Sequence, residues 1–163
     1  MQIEDTLAYL TGRWAIERRL VDHRADRCGR LDGIAEISLT EQAARPIPAT
    51  GAGSRRARYE ERGRLRLGSV CMRAGRELAI LDTDAGAVVL RFMDGREFIT
   101  LDLRPGAWEA VHGCAADRYE LRFEVRSPGT LVEDWRVRGS VKDYEARTVW
   151  RRLGGHSDAS ARR

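Results

Sequence analysis

The chain has 163 residues and a mass of 18.4 kDa, a length that suits one domain with one hydrophobic core. Hydrophobic residues make up 42% and charged residues 33%, a globular balance that excludes a disordered chain. No apolar run approaches the ~20 residues of a membrane span, and no signal peptide opens the sequence. We therefore expect a cytoplasmic protein with no membrane partner.

The net charge of +4 comes almost wholly from arginine, since Lys142 is the single lysine among 29 basic residues. Arginines alternate with acids, as in residues 118–126, and do not form the basic blocks that bind phosphate. We therefore expect no nucleic-acid partner. The three cysteines, Cys28, Cys71 and Cys114, are widely spaced and predict neither a disulfide framework nor a zinc site.

The predicted elements are one short helix followed by many strands. Ile3, Leu7 and Leu10 share one face of a helix within 3–10, and from Trp14 onward the apolar period is two. The predicted strands are 14–21, 31–39, 59–67, 70–72, 77–81, 87–93, 97–103, 108–114, 118–126, 131–138 and 144–152. A long loop is expected at 41–54, a hairpin turn at Asp94-Gly95, and a disordered tail at 154–163.

Many short-turned strands with one leading helix favour an antiparallel meander that closes into a barrel, because closure leaves no open sheet edge. We predict an all-β barrel of roughly 8 to 10 strands spanning residues 1–153. A sandwich of two sheets is the alternative.

The first strand opens with Gly12-Arg13-Trp14 after the short helix. This segment resembles the Gly-x-Trp start of calycin barrels such as lipocalins. The resemblance implies that the tryptophan closes one end of the barrel, with an arginine from a late strand over its ring. Arg147, Arg151 and Arg152 are the candidates for that arginine.

Five sequence blocks resemble those of a bacterial domain family of unknown function, over about residues 7–152. They are Asp94-Gly-Arg-Glu-Phe98, Leu101-Asp-Leu103, His112-x-Cys114-x-x-Asp117-x-Tyr119, Trp135-Arg-Val137 and Lys142-Asp-Tyr144. The family usually has a histidine after the phenylalanine of the first block, whereas this chain has Ile99. An activity that needs two histidines is therefore not expected here.

Strand alternation predicts a cluster at one mouth of the barrel. His112 and Cys114 share a face, and Asp117 and Tyr119 start the next strand after a short turn. A histidine beside a carboxylate is a common general base, so His112, Asp117 and Tyr119 are the candidate catalytic residues. The alternative is a purely structural histidine, with Cys114 as a small core residue.

Other polar residues have the phase of core residues and are candidate ligand contacts. Glu61 is expected to pair with Arg18 inside the barrel, because an unpaired buried carboxylate is costly. The remaining candidates for ligand binding are Asp102, Trp108, Cys114, Trp135 and Tyr144. Lys142 is expected at a turn or at the rim.

Two functions fit these features. The first is a cofactor-independent enzyme for cyclisation or isomerisation of a bacterial secondary metabolite, with His112 as acid or base and Asp117 orienting it. The second is a non-catalytic carrier or sensor of an apolar ligand or haem. Both predict a small apolar or aromatic ligand and no metal ion. A homodimer is the default expectation for assembly.

Overall fold

The computed structural model describes residues 1–40 and 55–154, which form one short helix and ten antiparallel strands. Their bounds are α1 Thr6–Leu10, β1 Gly12–Asp22, β2 Arg27–Leu39, β3 Arg56–Leu67, β4 Val70–Asp82, β5 Val88–Arg91, β6 Glu97–Leu101, β7 Ala107–Cys114, β8 Asp117–Ser127, β9 Thr130–Arg138 and β10 Asp143–Arg152. The prediction of an all-β barrel with a leading helix is confirmed. The predicted loop at 41–54 and residues 155–163 of the predicted tail lie outside the described residues.

The ten strands form one sheet in the order β6-β5-β4-β3-β2-β1-β10-β9-β8-β7. The sheet curls until its edge strands, β6 and β7, meet in a seam and the barrel is nearly closed. At the seam the indole Nε1 of Trp108 on β7 donates a hydrogen bond to the backbone oxygen of Thr100, at 2.9 Å. This side-chain hydrogen bond thus links β6 and β7, which no backbone hydrogen-bond ladder joins among the described residues.

Two predictions about where strands end had different outcomes. Asp94-Gly95 turns the chain between β5 and β6, with Gly95 at a φ of +90°, where a side chain would strain the backbone. The sequence also predicted an interruption between the strands 70–72 and 77–81, around Ala74-Gly75, and this is wrong. Ala74 and Gly75 continue through β4 and pair with Gly63 and Arg62 on β3, so one long strand replaces the predicted 70–72 and 77–81.

One end of the barrel, here called the closed end, is filled by α1 and Trp14. Asp5 caps the helix by accepting a hydrogen bond from the Ala8 amide at 2.9 Å. Leu7 and Leu10 of the helix are buried, as is Trp14, whose indole Nε1 donates to the Leu10 backbone oxygen at 2.8 Å. The amphipathic helix therefore covers the apolar core at the closed end of the barrel.

Arg152, the last residue of β10, completes the closed end. Its guanidinium carbon lies 4.1 Å from the Trp14 ring centroid, and it donates to the backbone oxygens of Thr11, at 2.9 Å, and Tyr9. The resemblance to calycin barrels implied this contact and left three arginines open. The structure selects Arg152.

Buried, mostly apolar side chains alternate with more exposed ones over much of the long strands, and most charged residues lie on the outside of the barrel. Within residues 1–40 and 55–154, no helix has the length and apolar character needed to cross a bilayer.

Candidate functional site

A cavity of about 270 Å³ occupies the half of the barrel beyond Trp14. We call it the lumen cavity. Its apolar wall is formed by Leu20, Leu31, Leu65, Ala74, Ala146 and Trp135, and its polar side by Arg18, Glu61, Arg76 and Tyr144. Toward the closed end the barrel interior narrows to an apolar void of about 30 Å³. The interior is thus packed at one end and open at the other.

Arg18 and Glu61 form the predicted pair inside the barrel. Arg18 on β1 donates from both Nη atoms to the two carboxylate oxygens of Glu61 on β3, at 2.8 and 2.9 Å. Its Nε donates to Thr148 Oγ1, also at 2.8 Å. Strand register explains the meeting, because Thr148 lies directly opposite Arg18 and the strands run side by side around the barrel. Each of the three guanidinium nitrogens of Arg18 therefore donates a hydrogen bond, and the pair with Glu61 is bidentate.

Arg76 is a cavity residue that the sequence interpretation missed. It lies opposite Glu61 in the β3–β4 ladder, and its Nη2 donates to Glu61 Oε2 at 3.2 Å and to Tyr59 Oη at 3.1 Å. The guanidinium carbon is 5.0 Å from the Trp135 ring centroid. Its even spacing from the buried Leu78 was the available signal, but Arg76 fell in the gap between the predicted strands 70–72 and 77–81.

Glu133 is a second buried carboxylate that the sequence interpretation missed. Its two oxygens accept hydrogen bonds from the indole Nε1 atoms of Trp135, at 2.5 Å, and Trp150, at 3.1 Å. It lies 4.0 Å from an Nη atom of Arg18 and 3.9 Å from one of Arg76. Even spacing from Trp135 on β9 was the available signal.

The two arginines of this network strongly shift the pKa of Glu61. Burial raises the pKa of the Glu61 carboxyl, but the Arg76 charge and the Arg18 hydrogen bonds outweigh it and hold that pKa at about 2. Burial raises the pKa of the Tyr59 hydroxyl, which donates to Glu61 Oε2 at 2.5 Å. Near neutral pH, Glu61 is therefore ionised and Tyr59 is protonated.

His112 lies outside this network, in a group of aromatic rings. Its ring centroid is 5.1 Å from Phe98, 5.8 Å from Phe92 and 5.9 Å from Tyr119. No hydrogen bond of the His112 ring occurs among the described residues. The half-buried imidazole is therefore packed as an aromatic residue.

The predicted partnership of His112 and Asp117 is wrong. The Asp117 carboxylate lies 2.7 Å from Nζ of Lys142, which also donates to Tyr119 Oη at 2.8 Å. Lys142, on the turn between β9 and β10, attracts the carboxylate with a full positive charge at hydrogen-bonding distance. Lys142 was expected at a turn or at the rim, and this contact agrees with that placement.

Three further candidates also lie away from the lumen cavity. Cys114 is exposed because it is the last residue of β7, at the rim of the barrel. Asp102 follows β6 and forms an ion pair with Arg104 at 2.7 Å. It was predicted to share the inward face of Phe98, but Thr100 between them is exposed, so the alternation does not continue from Phe98 to Asp102. Trp108 spans the seam. Trp135 and Tyr144 line the cavity, and their contact with a ligand stays a prediction.

A larger concavity of about 770 Å³ lies on the outer face of β7 to β10 and β1. Its charged residues pair with one another, including Arg147 with Asp134 at 3.2 Å and Arg136 with Glu145 at 3.0 Å. The charges of this outer surface are already paired, whereas the lumen cavity has a mainly apolar wall, so the lumen cavity is the better candidate site.

The fold and the site define a calycin-like barrel with a charged, partly open interior. The chain belongs to the Family of unknown function (DUF6314), which matches residues 10–152. No curated protein matches it significantly.

Two solved structures are similar to the chain. The S-type phycobiliprotein lyase CPES from Guillardia theta has a TM-score of 0.72 at 11% identity, over 96% of this chain and 95% of that one. A de novo designed fluorescence-activating β-barrel has a TM-score of 0.37 at 16% identity, over 93% of this chain and 100% of that one. The first similarity establishes the barrel fold, and the second is too low to support an argument.

Proposed function

We propose that this protein binds one small, mostly apolar molecule in the lumen cavity. The observation that supports this most directly is a void of about 270 Å³ bordered by a tryptophan face, aliphatic side chains and a fixed set of charges. Small-molecule sites are concave and mainly apolar, with a few placed polar groups, and typically have roughly 300–1,000 Å³. The cavity lies just below that range, so it suits a small ligand of one or two fused rings.

The charged residues of the cavity suit binding better than proton transfer. A general acid or base works best with a pKa near the working pH. Glu61 has a pKa of about 2, and burial raises the pKa of Tyr144 above its ordinary value. Arg18 and Arg76 stay charged at any working pH. These groups hold and orient a ligand without exchanging protons with it.

Acid–base catalysis of a cyclisation or isomerisation remains the alternative, with His112 as the reacting group. The half-buried His112 neighbours Tyr119, whose ring is 6.2 Å from that of Trp135 at the cavity. A substrate that reached beyond Trp135 would approach the imidazole. Product formation that His112→Ala abolishes, with ligand affinity unchanged, would favour catalysis over simple binding.

Titration with Prodan, an uncharged fluorescent naphthyl ketone, tests the binding proposal. Ala74 lines the cavity, and Ala79 lies on the same strand with the opposite phase. Phenylalanine at position 74 fills the void, so we expect Ala74→Phe to weaken Prodan binding at least about tenfold and Ala79→Phe to leave it unchanged. Equal binding by both variants, or no binding by the parent protein, would contradict the proposal.

A further inference from the structure

The polar groups of the lumen cavity differ in how fully their hydrogen bonds are used. Arg18 donates from Nε and from both Nη atoms. The two Glu61 oxygens together accept from Arg18, Tyr59 and Arg76. The two Glu133 oxygens each accept from an indole. These three residues therefore have little need of a ligand.

Arg76 differs from these three residues, and Tyr144, the fourth polar residue of the cavity wall, likewise makes no side-chain hydrogen bond among the described residues. Both hydrogen bonds of Arg76 come from Nη2, so within the described part of the chain Nε and Nη1 have no partner. Nε is closed to water, whereas the side chain as a whole keeps 25% of its surface exposed and lines the cavity. Nη1 is not closed to water, so its unused N–H groups can donate to an acceptor that enters the cavity.

We propose that the lumen cavity selects an uncharged aromatic molecule that carries a carbonyl oxygen, with Arg76 Nη1 donating a hydrogen bond to that oxygen. This inference rests on the proposed binding function and names the ligand class. Trp135, beside Arg76, offers its ring to the flat body of the ligand. The aliphatic wall of Leu31 and Leu65 covers the opposite side.

The charge balance of the cavity explains why the acceptor is a carbonyl and not a carboxylate. Two arginines, Arg18 and Arg76, face two carboxylates, Glu61 and Glu133, so the four charges sum to zero. A ligand carboxylate would enter with no counter-ion and close to both glutamates, and burying an uncompensated charge is expensive. A carbonyl oxygen accepts the same hydrogen bond without that cost.

Three matched probes test the inference on the unmodified protein: Prodan, the dimethylaminonaphthalene that lacks its ketone, and the corresponding dimethylaminonaphthoate. We expect Prodan to bind at least about tenfold more tightly than the parent naphthalene, because a hydrogen bond to a charged donor has that effect. The naphthoate is expected to bind most weakly. Equal affinities for Prodan and the naphthalene, or tightest binding of the naphthoate, would overturn the inference.

Arg76→Lys identifies the donor while it preserves the charge balance. We expect it to lower the affinity for Prodan several-fold and leave the affinity for the naphthalene unchanged, whereas Arg73→Lys, on the outward face of the same strand, changes neither. Circular dichroism verifies that each variant is folded. An equal loss for both probes would refute the role of Arg76. If both probes bind equally and Ala74→Phe blocks both, the ligand class is wrong but cavity binding stands; if Ala74→Phe affects neither, cavity binding itself fails.

Discussion

Two arginines lie over two tryptophans at opposite ends of this barrel. At the closed end, the Arg152 guanidinium is 4.1 Å from the Trp14 centroid and donates to backbone oxygens of Thr11 and Tyr9. At the lumen cavity, Arg76 is 5.0 Å from the Trp135 centroid and donates only from Nη2. Both ends therefore have an arginine stacked on a tryptophan, but Arg152 donates hydrogen bonds from several of its nitrogens and Arg76 from only one.

The surroundings decide which role each pair has. Trp14 has no exposed surface and packs against a helix and another indole, so its arginine closes the core. Trp135 borders a void, so its arginine faces a space that a ligand can enter. We infer that the closed end supplies stability and that the cavity end gives up some stability for binding.

The largest effect is expected from Trp14→Ala, which leaves a hole in the closed end. Substitution of a fully buried tryptophan by alanine typically costs about 3–5 kcal/mol of unfolding free energy. Urea unfolding measures this loss, and Trp108→Ala at the half-exposed seam is the matched control, with a smaller expected loss. Equal losses at the two positions would contradict the special role of the closed end.

Glu61→Gln is expected to have the next largest effect, because it leaves the half-buried Arg18 and Arg76 without their main partner. The pKa of Glu61 falls from 4.5 to about 2 on folding. This lowered pKa contributes on the order of 3 kcal/mol, fully present above about pH 4.5 and lost as the pH falls towards 2. Unfolding free energy measured across this range should show the loss in the parent protein.

Comparing Glu61→Gln with a control variant checks whether Glu61 causes this pH dependence. Glu61→Gln should lack this part of the pH dependence, whereas Glu60→Gln, an outward neighbour paired with Arg62, should retain it. The same pH profile in both variants would show that Glu61 is not the responsible group.

Arg152→Met is expected to cost about 1–3 kcal/mol, since it removes charge-assisted hydrogen bonds and the contact with the Trp14 ring. Arg151→Met is the control, because the Arg151 side chain points outward and is 61% exposed. Thermal unfolding compares the two variants, and Prodan affinity should be unchanged in both. A change in Prodan affinity for Arg152→Met alone would contradict the separation of the two ends.

The smallest effect is expected from Lys142→Met. The side chain is 40% exposed, so its ion pair with Asp117 is largely screened by water and worth under about 1 kcal/mol. A double-mutant cycle with Asp117→Asn in urea unfolding measures the coupling. A coupling energy well above about 1 kcal/mol would contradict the expectation that this rim ion pair adds little to stability.

Strand alternation and turn residues were sufficient to predict the barrel and the Arg18–Glu61 pair, and the resemblance to calycin barrels implied the closing tryptophan. Each depends on a local pattern: period-two burial, Gly12 before Trp14, and two charges that share the phase of core residues. The same reasoning placed Trp135 and Tyr144 at the cavity.

The remaining errors come from pairing that no local pattern determines. Arg76 was missed because Ala74-Gly75 has the composition of a turn, although the β3–β4 ladder continues through both residues. His112 and Asp117 are near in sequence, but Asp117 meets Lys142 from a distant turn. Long-range register and the competition between charged partners decide such contacts.

A crystal structure of the protein with bound Prodan would test the central claim most directly. The account predicts density for the naphthyl ring beside Trp135 in the lumen cavity, with the ketone oxygen within hydrogen-bonding distance of Arg76. Density at His112 or on the outer charged face, with the lumen cavity empty, would contradict it.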